Sequence, residues 1–454
     1  MWNRTIAAIS TPLGEGGMGV IRISGNDAIN IADRCFNAIS GEKLSSLKGY
    51  SAAYGTVMGK DGESIDDCVA LVFKAPKSYT GEDVVELSVH GGTAVLRETL
   101  RRVIGCGAHL AEGGEFTKRA FLNGKLDLAK AESIIEIIHA KSNSALKVTR
   151  TAKDGRVSRK IEEITDVLLQ TAASLSAFAD YPDEDIPELS FENFSLLCDK
   201  CEAEIKELLS SYDTGKLIRE GINCCIVGKP NVGKSTLMNL LCGNERSIVT
   251  DIAGTTRDVI ESTVNLGDIT LNLWDTAGIH DTDDTVEKFG VEKALETIET
   301  AQLVLAVFDG SNPLAKEDFD ILDSLKGKDA IIILNKNDLG SNADTECFKE
   351  FETLTMSAKN QTSLTPLREK IEKVCKIAHI DSAGAILVSE RQWGCAKRAL
   401  DAVCSAKEAL SCGVTLDAVG VCIDDAVAAM LELTGKRVTE EVTNQVFSRF
   451  CVGK

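Results

Sequence analysis

A short glycine-rich string in the middle of the chain constrains the fold most. Residues 228–235 read Gly-Lys-Pro-Asn-Val-Gly-Lys-Ser and fit the pattern G-x-x-x-x-G-K-[ST]. The string follows the apolar run 223–227 and precedes the helical pattern 236–242, the strand–loop–helix context that it needs. Backbone N–H groups of such a loop wrap phosphates, Lys234 neutralises their charge, and the Ser235 hydroxyl binds Mg²⁺. The sequence therefore predicts a nucleoside triphosphate site on a parallel sheet.

Three further motifs follow at the ends of strand-like runs. Residues 275–278 (Asp-Thr-Ala-Gly) can hold Mg²⁺ through water and donate an N–H to the γ-phosphate. Residues 335–338 (Asn-Lys-Asn-Asp) end in Asp338, whose carboxylate can accept two hydrogen bonds from guanine that adenine cannot donate. Residues 357–359 (Ser-Ala-Lys) suit a loop behind the base. A chance set of strand-end turns is the alternative, but four motifs in order favour a guanine-nucleotide domain.

The residues expected to catalyse hydrolysis differ from those of Ras-like GTPases. Such proteins place a water-orienting Gln just after the Asp-x-x-Gly motif, where this chain has the apolar Ile279. In the loop 250–258, Thr256 is a candidate Mg²⁺ ligand. Asn231 and backbone oxygens of 250–255 can form a cage for a monovalent cation, which would replace an arginine finger. The alternative is that Asn231 and the loop only hold each other by hydrogen bonds.

The expected nucleotide contacts come from all four motifs and this loop. They are Asn231, Val232, Gly233, Lys234, Ser235, Thr236, Thr250, Asp251, Ile252, Ala253, Gly254, Thr255, Thr256, Asp275, Thr276, Ala277, Gly278, Asn335, Lys336, Asp338, Ser357, Ala358 and Lys359.

The pattern of apolar residues divides the 454-residue chain into four segments. Residues 1–118 alternate short strands and helices, 119–215 are helical, 216–378 alternate strand and helix, and 379–454 are helical again. The simplest architecture is a multidomain α/β protein in which an α/β domain is inserted between two halves of a helical domain, behind a separate N-terminal domain.

Composition excludes several classes of protein. The net charge is 50 − 69 = −19, which argues against binding nucleic acid through a broad basic surface. Hydrophobic residues are 44% and charged residues 26%, as in a globular protein with a core. The 15 scattered cysteines suit reduced thiols better than disulfides. No apolar run approaches the ~20 residues of a membrane helix, so we expect a cytoplasmic protein.

Several longer strings resemble one family. These are Thr250-Asp-Ile-Ala-Gly-Thr-Thr-Arg-Asp258, the loop with Asn231, Tyr79-Thr-Gly-Glu-Asp83, His90-Gly-Gly92, Phe121-Leu-Asn-Gly-Lys125 and the terminal Cys451-Val-Gly-Lys454. They resemble the MnmE (TrmE) family of potassium-dependent tRNA-modification GTPases over essentially the whole chain. The resemblance implies an N-terminal domain similar to tetrahydrofolate-binding domains, a discontinuous helical domain and an inserted Ras-like G domain.

The resemblance also implies a reaction and its partners. The family forms homodimers through the N-terminal domain and a heterotetramer with MnmG, an FAD protein. Together they install an aminomethyl-type or carboxymethylaminomethyl group on carbon 5 of the wobble uridine of certain tRNAs. The carbon comes from 5,10-methylene-tetrahydrofolate, and 5-formyl-tetrahydrofolate is the other folate expected to bind. GTP hydrolysis with K⁺ and Mg²⁺ is needed for modification.

Site residues follow from the resemblance by motif. The folate contacts would be Arg22, Glu86, Lys125 and Lys454; potassium would be held by Asn231, Thr250, Ile252 and Thr255, and magnesium by Ser235 and Thr256. The catalytic candidates are Glu287, in Val286-Glu-Lys-Phe-Gly290, and Cys451. For Glu86 the alternative is an exposed strand residue, for Lys454 a frayed end, for Glu287 a solvated residue at a helix start, and for Cys451 a small packed residue.

Six basic residues recur in the helical segment 119–215. They lie about three residues apart and would form one helical stripe that meets tRNA or the partner, or is simply solvated: Lys147, Arg150, Lys153, Arg156, Arg159 and Lys160.

Two other functions are the alternatives to tRNA modification. A regulatory or ribosome-assembly GTPase switch is the main rival, but such a protein needs no folate-binding residues. A folate-dependent transferase with an idle G domain is the other, and the complete set of nucleotide motifs opposes it.

Overall fold

A computed structural model describes residues 4–180, 191–244, 262–275, 298–340, 342, 345–360, 363–375 and 384–454. The chain separates into two compact units. The first comprises Met1–Ile135, Ser158–Glu202 and Gly394–Lys454, and the second comprises Glu136–Val157 and Ala203–Trp393. In the described part of the chain, no helix combines the length and the apolar character that crossing a membrane requires.

The first unit contains a seven-stranded sheet in the order β3-β4-β5-β6-β2-β1-β7. Its strands are β1 Ile6–Ile9, β2 Gly19–Ser24, β3 Phe36–Ala38, β4 Ser51–Met58, β5 Ser64–Phe73, β6 Val84–Val89 and β7 His109–Leu110. All neighbours pair antiparallel except β1 and β7. Helices α1 Ala28–Asp33 and α2 Thr93–Gly105 contact this sheet, and α3 Glu115–Leu122 follows β7. Alternate residues such as Ile21, Ile23, Val85 and Leu87 form its core.

Helices make up most of the described residues between this sheet and residue 220, and again from residue 390 on. They are α4 Leu128–His139, α5 Asn143–Lys153, α6 Arg156–Asp180, α7 Phe191–Glu220, α11 Glu390–Ser411, α12 Leu416–Thr434 and α13 Glu440–Ser448. The start of α4 and the end of α13 pack together through Leu128, Ala131, Phe447 and Phe450. Residues far apart in sequence therefore share one hydrophobic cluster.

The second unit contains a sheet whose described strands run in the order β13-β12-β11-β8-β10-β9. They are β8 Ile222–Val227, β9 Ser262–Leu266, β10 Ile269–Asp275, β11 Leu303–Asp309, β12 Ala330–Asn335 and β13 Glu352–Thr355; the helices of this part are α8 Lys234–Asn244, α9 Lys316–Ser324 and α10 Thr365–Val374. Every pairing is parallel except that of β9 with β10. The predicted parallel sheet is confirmed, with one antiparallel edge strand.

Both faces of this second sheet are covered. Along β11, Leu303, Leu305 and Val307 belong to one hydrophobic cluster. The intervening Val304, Ala306 and Phe308 belong to another. Because successive side chains of a strand point to opposite faces, the continuous apolar run is the sequence signature of a sheet buried on both sides.

One local expectation was wrong. The six basic residues do not share one helix, because α5 ends at Lys153 and α6 begins at Arg156. Gly155, between them, has a φ of 79°, a left-handed conformation that breaks a right-handed helix.

Candidate functional sites

The phosphate-binding loop connects β8 to α8. Gly228 has a φ of 150°, and a Cβ there would collide with the carbonyl oxygen of Val307, so the loop can pass close to β11 only with glycine. The Nζ of Lys234 donates hydrogen bonds to the carbonyl oxygens of Gly228 and Lys229, both at 2.8 Å. Asn231 has a φ of 62° and an exposed side chain. The loop is thus curled around the amine that would meet the phosphates.

Asn335 connects this loop to the base-binding motifs. Its Nδ2 donates to the carbonyl oxygen of Val232 at 2.9 Å, and its Oδ1 accepts from the backbone N–H of Ala358 at 2.8 Å. The side chain is buried, and a Cβ on Gly233 would collide with its amide. One residue therefore sets the spacing between three of the predicted motifs.

Lys336 and Asp338 follow Asn335 at the end of β12. Lys336 has a φ of 63°, and its Nζ contacts Asp309 Oδ2 at 2.8 Å. Burial acts to raise the pKa of Asp309, but hydrogen bonds from Lys336 and Ser311 outweigh it and lower this pKa to about 2. Asp338 is exposed in a 3₁₀ turn over Asn337–Leu339. Its carboxylate is accessible to a base, while the lysine before it is fixed by an ion pair.

One contact of the loop was not predicted. Lys229 Nζ lies 2.6 Å from Asp318 Oδ2. The same oxygen accepts a hydrogen bond from the backbone N–H of Ala315 at 2.8 Å, at the start of α9. Asp318 is buried, so this ion pair fixes Lys229 of the loop to the start of α9. No motif in the sequence singles out Asp318.

The structure describes three of the other predicted nucleotide residues. Ser235 and Thr236 are exposed in the first turn of α8, and Asp275 is the last residue of β10. The remaining predicted residues of the two loops lie outside the described residues: Thr250, Asp251, Ile252, Ala253, Gly254, Thr255, Thr256, Thr276, Ala277, Gly278 and the catalytic candidate Glu287.

A second cluster lies on the seven-stranded sheet of the first unit. Arg22 on β2 is directly opposite Glu86 on β6, and Arg22 Nε contacts Glu86 Oε1 at 2.8 Å. The guanidinium lies between two rings, 5.7 Å from the centroid of Tyr79 and 5.6 Å from that of Phe116. Both charged side chains remain partly exposed, at 17% and 22%. Glu86 Oε2 accepts no hydrogen bond from the described residues, so it can accept one from a ligand.

The C-terminal residues close one side of this cluster. Arg22 Nη1 donates to the carbonyl oxygen of Gly453 at 3.2 Å, and Ser10 Oγ donates to the same oxygen at 3.1 Å. The N–H of Phe116 donates to the Lys454 carbonyl oxygen at 3.2 Å. Gly453 has a φ of 97°, and a Cβ there would collide with the backbone of Ile9. The end of the chain is therefore docked by its backbone and is not frayed.

The other two predicted residues of this cluster differ in position. Cys451 is exposed, and its carbonyl oxygen accepts from the N–H of Gly114 at 3.3 Å. Lys125 is exposed, and its Nζ donates to the carbonyl oxygen of Pro76 at 2.9 Å, with no described contact to Arg22 or Glu86. The structure thus brings Arg22, Glu86 and the chain end together and leaves Lys125 on the loop beside them.

Buried charges support the loop that carries Tyr79. Arg119 Nη1 contacts Glu82 Oε2 at 3.0 Å, and Arg119 Nη2 contacts Glu115 Oε1 at 2.8 Å. Ser24 Oγ also donates to Glu82 at 2.8 Å, while Tyr79 Oη and Thr117 Oγ1 are 2.9 Å apart. Arg119 is 2% exposed, so this network is well desolvated and rigid. The sequence motifs include Tyr79 and Gly453 but indicate no role for them, and no motif singles out Phe116.

Comparison with known proteins gives matches along the whole chain. The model of the "MnmE helical domain" matches residues 128–451, and that of the "GTP-binding protein TrmE N-terminus" matches residues 5–125. A protein from Clostridioides difficile called tRNA modification GTPase MnmE is 40% identical over 456 residues, covering 99% of both chains. Proteins of the same name from Desulforamulus reducens and Geobacter sulfurreducens are 40% and 41% identical, covering 100% and 99% of both chains.

The chain belongs to the MnmE family of tRNA modification GTPases. It is therefore a GTP hydrolase, and the four nucleotide motifs are those of its G domain. A solved FeoB G domain from Methanococcus jannaschii is 22% identical, with a TM-score of 0.26, and covers 34% of this chain and 98% of that one. The family assignment rests on the sequence matches.

Proposed function

We propose that the protein is a potassium-stimulated GTP hydrolase that modifies tRNA together with an FAD-containing partner. It would add an aminomethyl- or carboxymethylaminomethyl-type group to carbon 5 of the wobble uridine of certain tRNAs. The observation that carries the proposal is the Arg22–Glu86 pair with the Gly453 carbonyl oxygen on the arginine. A GTPase that acts only as a switch has no use for a partly exposed charged cluster built far from its nucleotide motifs in sequence.

The chemistry of this cluster suits a folate. When bound, 5,10-methylene-tetrahydrofolate supplies the one-carbon unit. A pterin edge offers N–H donors that the second oxygen of Glu86 can accept. The anionic glutamate tail suits Arg22 and the side chains of Lys125 and Lys454. Exposed Cys451, three residues before the chain end, is the nearby nucleophile candidate.

The G domain would hold GTP with Mg²⁺ and K⁺. Ser235 and Thr256 would bind Mg²⁺, while Asn231 with Thr250, Ile252 and Thr255 would hold K⁺. The cation places positive charge beside the phosphates, where other GTPases use an arginine. Support comes from the left-handed backbone of Asn231, which leaves its side chain exposed at the loop. Glu287 would orient the attacking water.

The assembly would be a homodimer through residues 1–118, joined by an MnmG-like FAD protein in a heterotetramer. The net charge of −19 supports a division of labour in which the partner makes many of the tRNA contacts. On this chain, Lys147, Arg150 and Lys153 of α5 are exposed and offer a small basic face for tRNA phosphates or for the partner.

The test is modification of unmodified tRNA by purified components. The full chain is mixed with its FAD partner, GTP, K⁺, 5,10-methylene-tetrahydrofolate and an amine source, and the wobble nucleoside is identified by mass spectrometry. Arg22→Lys keeps the charge but loses the planar fork and its contacts to Glu86 and Gly453. We expect this variant to bind 5-formyl-tetrahydrofolate at least about tenfold more weakly and to lose modification in proportion.

Exposed Arg101 provides the matched control, since Arg101→Lys changes the same residue type on α2 outside the cluster. GTP hydrolysis by each variant reports that the chain has folded. Wild-type protein that hydrolyses GTP but leaves the uridine unchanged in the complete mixture would overturn the proposed reaction. Normal folate binding by Arg22→Lys would overturn the assignment of the cluster.

A further inference from the structure

Three lysines of the first unit surround one tight turn, which follows strand β5. The N–H of Lys77 donates to the carbonyl oxygen of Lys74 at 2.9 Å and closes the turn. Lys125 reaches the same turn from the segment after α3, because its Nζ donates to the carbonyl oxygen of Pro76 at 2.9 Å. We call Lys74, Lys77 and Lys125 the basic rim.

The lysines of the basic rim have no carboxylate partner among the residues that the structure describes. Lys74 Nζ donates to the carbonyl oxygen of Ser45 at 3.4 Å, and the side chain of Lys77 is exposed. Asp83 brings a negative charge to the turn, since its Oδ1 accepts from the N–H of Ala75 at 2.8 Å. The turn therefore carries a local excess of positive charge in a chain whose net charge is −19.

Tyr79 connects the basic rim to the charged cluster on β2 and β6. Its ring lies 5.7 Å from the guanidinium of Arg22. Tyr79 is two residues after Lys77, so the Cα atoms of these two residues are at most about 7.6 Å apart. The loop between them and β6 is fixed: Thr80 is buried, and its carbonyl oxygen accepts from Asn123 Nδ2 at 2.8 Å. The rim is thus held beside Arg22 before any ligand binds.

A short chain of carboxylates is the ligand that this arrangement favours. Folates carry either one glutamate or a chain of γ-linked glutamates, in which every added residue brings one more carboxylate. A lysine ammonium group binds carboxylates as a compact charge with three donors. Binding of tRNA through its phosphates draws on many basic residues, whereas the rim has three around one turn. The rim therefore suits a flexible polyanion that is already held at the neighbouring cluster.

We propose that the basic rim binds the γ-linked glutamate chain of a folate, so that the protein prefers polyglutamylated folates to the monoglutamate. The proposal rests on folate binding at the cluster of Arg22 and Glu86. Lys125 would contact the first carboxylates, because its Nζ keeps N–H donors besides the one bonded to Pro76. Lys74 and Lys77 would contact the carboxylates that follow. These contacts lie outside the reacting part of the folate, so they should lower the KM for folate and leave kcat unchanged.

The experiment compares two forms of one folate on the full chain. The Kd of 5-formyl-tetrahydrofolate is measured by calorimetry for the monoglutamate and for the pentaglutamate. We expect the pentaglutamate to bind at least about tenfold more tightly, because several exposed ion pairs each contribute a small factor. The ratio of the two Kd values should shrink as the salt concentration rises from about 0.05 M to about 0.5 M.

The two possible failures are distinguishable. Equal Kd values for the monoglutamate and the pentaglutamate would overturn the proposal and leave the folate site in place. Binding of neither form would overturn the folate assignment itself, and the proposal with it. A preference for the pentaglutamate that does not change with salt would also contradict a rim of ammonium groups.

Variants assign the preference to the rim. Lys74→Gln combined with Lys77→Gln should remove most of the preference and leave the Kd of the monoglutamate within about twofold. Lys60→Gln is the matched control: exposed Lys60 precedes β5, whose ten residues place it about 33 Å from the rim. GTP hydrolysis reports that each variant has folded, and Lys77→Gln alone replaces the double variant if that one does not fold.

Retention of the preference in the folded variant would overturn the role of the rim. Weaker binding of tRNA by that same variant would then assign the lysines to RNA instead.

Discussion

The side-chain amide of Asn335 donates a hydrogen bond to the carbonyl oxygen of Val232 at 2.9 Å, across 103 positions of sequence. The same side chain accepts a hydrogen bond from the N–H of Ala358. The phosphate loop, the guanine-reading motif and the loop behind the base are thereby held by one buried residue. We therefore expect nucleotide binding by this G domain to depend on a contact that no single motif contains.

Asn335→Asp tests this connection. The aspartate keeps an acceptor for Ala358 but faces the Val232 carbonyl oxygen with a second oxygen instead of a donor. We expect stability to fall by about 1–3 kcal/mol and the Kd for GTP to rise at least about tenfold, measured by thermal unfolding and by titration with a fluorescent nucleotide. Exposed Asn337→Asp is the control and should change neither. If Asn335→Asp bound GTP with wild-type affinity, the loops would be positioned without the hydrogen bonds of Asn335.

Asp338→Asn should change which base the protein accepts. The amide can donate to the C2 carbonyl of xanthine, whereas it loses one of the two acceptors for the N–H groups of guanine. We expect the Kd for GTP to rise about a hundredfold and that for xanthosine triphosphate to fall. The rates of hydrolysis of GTP and xanthosine triphosphate measure this change of base specificity, with the exposed Asp320→Asn as the control variant. Continued preference for GTP would remove Asp338 from base recognition.

The Lys336–Asp309 ion pair predicts a dependence of stability on pH. The pKa of Asp309 is lowered from 3.8 to about 2 in the fold, so its ionised form contributes about 2 kcal/mol of stability above pH ~4. That contribution is lost as the pH falls through the folded pKa. Asp309→Asn should therefore be less stable than wild type at pH 7, and the difference should vanish near pH 2.

Chemical unfolding at several pH values between 7 and 2 measures this difference. Asp323, on α9, is an exposed carboxylate paired with Lys326. The control variant Asp323→Asn should change the free energy of unfolding little at any pH, because exposed ion pairs contribute little to stability. A difference between Asp309→Asn and wild type that stays constant down to pH 2 would rule out the ion pair as its cause.

Gly453→Ala should release the end of the chain. Its φ of 97° is strained for alanine, and the added Cβ would collide with the backbone of Ile9. We expect carboxypeptidase to remove Lys454 at least about tenfold faster and folate affinity to fall by a similar factor. Val452→Ala, at an exposed neighbour, should behave as wild type. Slow trimming of Gly453→Ala would show that the other backbone contacts suffice to dock the tail.

The sequence predicted the G-domain strands well because their signal is local. Strands β8, β11 and β12 are mostly apolar, and the predicted apolar run 223–227 lies within one residue of the observed bounds of β8 at either end. The strand β4 was not predicted, since Ser51–Met58 contains small and exposed residues with no clear alternation. Its position is fixed by pairing with β5, which a single stretch of sequence does not encode.

The sites were predicted less completely because their contacts are long-range. A nucleotide motif located Asn335 and the family resemblance located Arg22 and Glu86, but neither could show that Asn335 bonds Val232 or that Gly453 reaches Arg22, 431 positions away. Lys229–Asp318 was missed for the same reason. Lys125 was grouped with Arg22 by motif, whereas its amine is bonded to Pro76. Motifs specify residue types; distances between them depend on the pairing of distant elements.

The most direct test of the account is the rate of GTP hydrolysis by the full chain in K⁺ and in Na⁺ at equal ionic strength. A cation that replaces the arginine finger should make hydrolysis at least about tenfold faster in K⁺, and Asn231→Ala or Glu287→Ala should remove most of that stimulation. Equal rates in the two salts would contradict the cation cage and leave a GTPase that awaits an external activator.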